Sequence, residues 1–355
     1  MSPILAKYRE FLQGIKGKIP QDRIYTDSLK RFCWGTDAGC YRMVPKIVIR
    51  SDTEEEIALI LKEARSLRLP VTFRAAGTSL SGQAISDSIL VVAGKNWESY
   101  SIEDDGKVIS LQPGLIGDEV NRILAPYSRK FGPDPASIKS AMVGGIVANN
   151  SSGMSCGVKA NADRTLVSAR IVLSDGTVLD TGDEASRKRF QATHTKFISE
   201  IKSLRDRILS NAELTEKILH KYSIKNVTGL NLLPFVEYSD PFDIIAHLMV
   251  GSEGTLAFIS GVRMKTLPLE PFQASAMIYF KPIQQAASAV VAMEKLDVCA
   301  AEMLDRRSLA SVNDTTGKDL AAVLTQVRAS SQEELDARIN AVTQALEGFE
   351  TKTGV

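Results

Sequence analysis

After residue 45 the chain alternates short apolar runs with stretches whose apolar residues recur at helical spacing. KIVIR (46–50) is short and β-branched, which predicts a buried strand. Ile57, Ile60, Leu61, Ala64 and Leu67 then fall on one helical face, because positions i, i+3, i+4 and i+7 line up at 3.6 residues per turn. Thr53, with Glu56 three residues on, forms a capping box for its start. Pro70 ends it, and LPVTFRA (69–75) reads as the next strand. Strand, helix and parallel strand make one right-handed βαβ unit, which suggests an α/β sheet with a ligand at its strand ends. No helix follows. After GTSLSG (77–82) come ILVVA (89–93), WESYSI and KVISLQPG, all strand-like, so a mixed sheet is expected.

Further along, Val120, Ile123 and Leu124 predict a helix from about Gly117 to Tyr127, and LVSARIVLSDGTVLDTG (166–182) predicts a hairpin turning at Asp175-Gly176. Two helical patterns occupy about 191–220, and the apolar run DIIAHLMVG (243–251) leads into glycine-punctuated strands. From 272 the order is strand (ASAMIYF), helix (PIQQAASAVVAMEKL), strand (VCAAEMLD), short helix, strand (AAVLTQVRA) and helix (SQEELDARINAVTQALEGF). That is an α+β sandwich with helices on one face of an antiparallel sheet. Three regions are expected: an N-terminal helix and connector (1–45), a large two-lobed domain (46–268) and a smaller domain (269–355). The smaller domain stops after a helix where a β-α-β-β-α-β arrangement needs a last strand, so it is expected to be incomplete.

Length agrees, since 355 residues exceed the usual single domain. With 43 basic and 42 acidic side chains the net charge is +1, which provides no broad field for nucleic acid or an anionic membrane. The N-terminus lacks the uninterrupted apolar core of a secretory signal, and no stretch elsewhere reaches the roughly 18 apolar residues of a membrane span. A cytoplasmic protein is expected, with any membrane association peripheral. Cys33, Cys40, Cys156 and Cys299 are too scattered for a C-x-x-C metal site and too few for a disulfide scaffold, so no metal site is expected in the chain. They read as reduced and structural, with a reactive Cys156 as the lesser alternative.

Candidate chemistry lies in three glycine-rich segments. FRAAGTSLSG (73–82) directly follows a strand, and a tight Gly/Ser/Thr loop there presents successive N–H groups to one point, the nest geometry that binds phosphate. Gly77 and Gly82 permit unusual backbone angles, and Thr78, Ser79 and Ser81 offer hydroxyl donors. An ordinary turn has the same composition. The loop is neither G-x-x-x-x-G-K-[ST] nor G-x-G-x-x-G, and no helix follows to lend its dipole, which removes the mechanical basis for P-loop or nicotinamide binding. FGPDPASIKSAMVGGIVANNSSGMSCG (131–157) is the longest stretch without amphipathic spacing. Its backbone groups need partners if buried, and either a long ligand or an Ω-loop packed on itself supplies them. GSEGTLAFI (251–259) sets Glu253 between glycines at a strand start, where an exposed turn carboxylate is the alternative.

Together the three segments resemble the flavoprotein superfamily of vanillyl-alcohol oxidase and p-cresol methylhydroxylase, the FAD-linked oxidases. FRAAGTSLSGQ is similar to that family's pyrophosphate loop, GPDPAS with MVGGIVANNSSG to its segment along the flavin and ribityl chain, and GSEGTLAFI to its closing isoalloxazine-side motif. The resemblance covers about residues 44–268. WGTDAGCYRMVPKIVI, Asn149-Asn150 and AEMLDRRSL (301–309) are most similar to the D-lactate and D-2-hydroxyglutarate dehydrogenase branch, whose longer members carry a C-terminal iron-sulfur module.

The resemblance implies an α+β protein of mixed α/β type. A two-lobed FAD-binding domain of the p-cresol methylhydroxylase type would precede a partial ferredoxin-like α+β cap. Carried over by position, Ala75, Ala76, Gly77, Thr78 and Ser79 with Gly82 and Gln83 would cradle the pyrophosphate. Pro133, Asp134, Ser137, Met142, Gly144, Gly145, Ala148, Asn150 and Gly153 would line the flavin, and Glu253 and Ile259 would complete the site. Some members attach the flavin to a histidine, but here the first loop reads Arg74-Ala75-Ala76 and the histidines are His194, His220 and His247, so noncovalent FAD is expected. All three histidines read as structural. Arg306 and Arg307 are candidates for bidentate pairing with a substrate carboxylate, although a surface ion pair is the commoner use of such residues.

The implied reaction is oxidation of a D-2-hydroxy acid, D-lactate or D-2-hydroxyglutarate, by hydride transfer to flavin N5. Electrons would pass on to a quinone, a cytochrome or an iron-sulfur module. The catalytic base, the divalent-metal ligands and any iron-sulfur cluster of the family are expected beyond Val355, so the chain by itself is expected to bind FAD with little or no turnover. A sugar or alditol oxidase or a cell-wall enolpyruvyl reductase of the same fold, and a noncatalytic flavin-binding subunit, are the rival readings.

Overall fold

A computed structural model describes residues 3–93, 96–281, 283–312 and 320–351. The chain divides into two compact units, one of residues 1–152 and 158–267, the other of residues 153–157 and 268–355.

In the first unit, continuous apolar runs build a four-stranded sheet in the order Ile24–Tyr25, Ile47–Ser51, Ile89–Ala93, Val71–Arg74. The last three strands are parallel, with Val48 beside Leu90 and Phe73 beside Val91, while the first is antiparallel. Strand Ile89–Ala93 therefore inserts between the two strands of the βαβ unit. Ile47, Ile49, Ile89 and Val91 pack with Phe11 and Ile15 of helix Pro3–Ile15 and with Ile57 and Ile60 of helix Glu54–Leu67. Val48, Leu90 and Val92 form a separate cluster with Tyr25 and Trp34. Both faces are covered, which is why these strands need no polar alternation. The capping box is half formed. Glu56 N donates to Thr53 Oγ1 at 3.2 Å, but the Glu56 carboxylate accepts from Asp52 N at 2.8 Å and pairs with Arg23.

The runs near 100–111 do not join this sheet, so the expectation of one mixed sheet is corrected. They belong to a five-stranded antiparallel sheet in the order Tyr100–Glu103, Val108–Leu111, Phe258–Lys265, Leu166–Val172, Val178–Asp180. The physical reason is readable in VISL and the strand opposite it. Ile109, Leu111, Val262 and Met264 join the core, and the alternating Ser110 and Arg263 do not, the pattern of a sheet with one wet face. On that wet face Arg263 pairs with Glu103 at 2.6 Å and Arg170 with Glu54 at 2.7 Å.

Three helices, not two, follow the hairpin: Glu184–Thr193, Thr195–Leu209 and Ala212–Tyr222. Asp183 and Asn211 start the first and third by accepting from Ser186 N at 2.9 Å and Leu214 N at 3.0 Å. The apolar run near 243–251 is largely helix, Pro241–Leu248, with Asp240 as cap and proline in its first turn. It is apolar nearly all round because Phe242, Ile244, Ile245 and Leu248 are all buried.

In the second unit, strands Phe272–Phe280, Ala321–Ala329 and Ala300–Leu304 pair antiparallel in that spatial order. Helices Ile283–Met293 and Gln332–Leu346 supply Ala286, Ala289, Leu335, Val342 and Leu346 to a core with Ile278, Phe280, Val323 and Val327. Residue 282, read as the start of the first of these helices, lies outside the described residues. Thr351 forms an isolated antiparallel bridge to Phe280, on the outer edge of strand Phe272–Phe280.

Candidate functional site

Strand Val71–Arg74 runs straight into the first glycine-rich loop, where Gly77 and Gly82 adopt φ of 74° and 85°. Only glycine takes such values without a steric cost. The loop is held from behind by the turn-rich connector near 34–40. Ala38 N donates to Gly77 O at 3.0 Å, and Arg74 Nη1 donates to Thr36 O at 2.6 Å and to Ala84 O at 3.2 Å. The Arg74 guanidinium lies 5.2 Å from the Trp34 ring centroid, and a β-carbon at Gly77 would run into it. Burial lowers the affinity of Arg74 for its proton, with Asp37 opposing. Among the described residues the backbone N–H groups of 77–82 meet no acceptor in the chain. They are left available to a bound anion.

Within the second segment lies a short helix, Val143–Asn149, that the spacing did not reveal. Gly144 N donates to Pro113 O at 2.9 Å, and a β-carbon there would stand 2.6 Å from Pro113 Cβ. A β-carbon on Gly145 would meet only Ala75 Cβ, at 3.6 Å. Gly144 thus lets the helix approach its support, and Gly145 leaves a bare wall beside the first loop. Asn150, at φ 52°, ends the helix in a Schellman motif, with Ser151 N on Ile146 O at 2.8 Å and Asn150 N on Val147 O at 3.0 Å.

The third segment is bolted to that helix end. Gly251, Glu253 and Gly254 have φ of 82°, 53° and 72°. A non-glycine residue in this region costs on the order of 1–3 kcal/mol unless its surroundings impose it. Here they do: Glu253 N donates to Ala148 O at 2.8 Å, and Asn149 Nδ2 donates to Glu253 Oε1 at 2.5 Å. Ser151 Oγ completes the chain by donating to Asn149 Oδ1 at 2.8 Å. Burial pushes the Glu253 carboxyl above its ordinary range, and the bond from Asn149 opposes the rise.

The three segments enclose one cleft of about 430 Å³. Its wall includes Ala75, Ala76, Gly77, Thr78, Ser79, Gln83, Ser137, Met142, Gly144, Gly145, Ala148, Glu253 and Ile259. Gly77 and Gly145 thus share it. Gly82, Pro133, Asp134 and Asn150 stand off the wall: Gly82 shapes the loop and Asn150 caps the helix. Gly153 groups with the second unit. Sequence reasoning missed Arg74, Pro113, Asn149, Lys225 and Val227, which also line the cleft. Lys225 and Val227 come from a loop with no periodic signal, and only folding brings them in.

No histidine lines the cleft among the described residues. His194 stacks on Phe190 at 4.2 Å and contacts Asp175 at 3.0 Å, while buried His247 contacts Tyr238 Oη at 3.0 Å. His220 is exposed on its helix. Arg306 and Arg307 are exposed on helix Arg306–Ser311 of the second unit. Cys156 is buried. No described helix is long and apolar enough to cross a membrane.

Residues 45–182 match the family described as FAD binding domain, and residues 269–355 match the C-terminal domain of FAD linked oxidases. The chain is 22% identical to a D-2-hydroxyglutarate dehydrogenase of Haemophilus influenzae, over 95% of this chain and 35% of that protein. It is 25% identical to the glycolate oxidase subunit GlcD of Escherichia coli, over 88% of this chain and 52% of that protein. A solved alkyldihydroxyacetonephosphate synthase superposes with a TM-score of 0.65 at 15% identity, covering 97% of this chain and 62% of that one, and so shares the fold. The chain therefore spans about a third to a half of the length of these curated relatives. The residues present fit FAD: a donor row at 77–82 suits a diphosphate, and the bare wall at Gly145 admits a long flat ligand. With its cofactor domain, its C-terminal domain and its cleft in agreement, the chain belongs to the FAD-linked oxidase family.

Proposed function

We propose that the chain is the flavin-binding part of an enzyme that oxidises a small D-2-hydroxy acid, with FAD held noncovalently. The observation that carries this reading is the shared cleft of Gly77, Gly145 and Glu253, with no histidine among its described lining residues. Bound FAD would supply the acceptor for the hydride equivalent leaving the carbinol carbon. The chain's own residues bind and orient. Ala75 to Ser79 with Gln83 hold the anionic part of the cofactor, Gly144 and Gly145 admit its body, and Asn149 fixes the Glu253 carboxyl at the wall. The hydroxy-acid substrate class is supported by the relatives named for D-2-hydroxyglutarate and glycolate. A quinone, cytochrome or iron-sulfur module would take the electrons. Arg306 and Arg307 remain candidate carboxylate contacts.

The test is the absorbance spectrum of the purified protein, as its gene encodes it, before and after anaerobic addition of D-2-hydroxyglutarate, D-lactate or glycolate. Flavin that acid precipitation releases, and that one of these acids bleaches, is the expected result. Bleaching by NADPH alone, or peroxide formed with sugars or alditols, would replace the substrate class. A flavin that nothing bleaches would favour a noncatalytic subunit, a reading that the subunit name of the glycolate oxidase relative keeps open.

A further inference from the structure

We infer that Lys225 is a carboxylate anchor on the flavin-binding unit, receiving the acid end of the substrate where the second and third glycine-rich segments meet. This rests on the proposed function and adds a residue that would select an acid over a neutral alcohol. Among the described residues, the charged side chains lining the cleft are Arg74, Lys225 and Glu253. Arg74 braces the first loop, with Nη1 on Thr36 O and Ala84 O, its guanidinium beside Trp34 and a buried Nε without a partner among the described residues, which places it with the 77–82 loop. Glu253 would repel an acid. The Lys225 ammonium donates to Ser152 O at 3.1 Å, and an ammonium has three N–H groups, so two are left for a ligand.

Its place follows from a run of contacts. Lys225 holds Ser152 O, Ser151 holds Asn149, and Asn149 holds Glu253. The cation therefore belongs to the Glu253 side of the cleft, whereas the N–H row of 77–82 belongs to the first loop. A diphosphate on that row leaves Lys225 to serve a different anion. Lys225 lines the cleft while remaining exposed, and a compact ammonium on a flexible stem meets a carboxylate there as a point charge. One residue on, Asn226 spends Oδ1 on Thr228 N at 3.0 Å and keeps a buried Nδ2 with no described partner, a second donor on the same loop.

The experiment titrates the FAD-loaded full chain with oxalate, read by the flavin absorbance shift. FAD affinity is read by fluorescence, in wild type, Lys225→Gln and Lys225→Arg. The Gln variant should raise the oxalate Kd by about 2- to 5-fold, the loss of an exposed ion pair. The Arg variant should recover most of it, with FAD Kd and melting temperature unchanged throughout. An unchanged oxalate Kd in Lys225→Gln overturns the inference and leaves the proposed function standing. A weakened FAD Kd in Lys225→Gln at unchanged melting temperature overturns it in favour of a cofactor phosphate contact. A wild type that responds to none of oxalate, D-2-hydroxyglutarate, D-lactate and glycolate overturns both readings.

Discussion

Gly77 carries two constraints at one residue, a φ of 74° and an arginine guanidinium in the space a side chain would take. Gly77→Ala should lower stability by about 1–3 kcal/mol and abolish FAD binding, checked by thermal melts and by flavin fluorescence titration. Glu253 shows the sign of a pH effect. Burial raises its folded pKa, against a bond from Asn149 that lowers it. Above the unfolded value of about 4.3 the native state still holds a proton that the unfolded chain has lost, so its contribution declines as pH rises through the folded value. Glu253→Gln removes that decline. The melting-temperature difference, variant minus wild type, should therefore become more positive from about pH 4 to about pH 7, and a flat difference would refute the shift.

At the scale of elements, the site is a set of junctions. Helix Val143–Asn149 has seven residues, too short to persist by itself, and its C-terminal carbonyls are met by Asn150, Ser151, Gly251 and Glu253. Asn149 is the side-chain tie in that junction. Asn149→Ala leaves the half-buried Glu253 carboxylate without it. The expected cost is about 1–3 kcal/mol of stability in a urea titration, with a weaker FAD Kd. The helix was illegible in sequence because two glycines interrupt it and no polar face alternates with its apolar one. The βαβ helix shows the opposite case: Ile57, Ile60, Leu61 and Ala64 are all buried as their spacing predicts. Ile60→Ala, at a position with no exposed surface, should cost about 2–5 kcal/mol.

For the whole molecule, each compact unit has its own core, so the ligand's effect should be local. FAD at a hundred times its Kd should stabilise the unit that binds it by about 2.7 kcal/mol. Amide exchange should slow around 75–83, 143–151 and 251–254 and stay unchanged in strand Ala321–Ala329 of the second unit. Equal protection in both units would contradict a site confined to the first.

The amino-acid sequence by itself determined the local elements with strong period, the glycine positions and the three segments of the cleft. Spacing, turn chemistry and backbone freedom act over a few residues and leave a mark there. Only the tertiary structure decided that Ile89–Ala93 inserts between the βαβ strands, that residues 100–111 enter a separate antiparallel sheet, and that residues 34–40 brace the first loop. It also decided that Lys225 reaches the wall while Asn150 turns to capping. Those outcomes depend on which surfaces meet across long sequence separations, and burial and hydrogen-bond satisfaction choose among them only once the chain is packed.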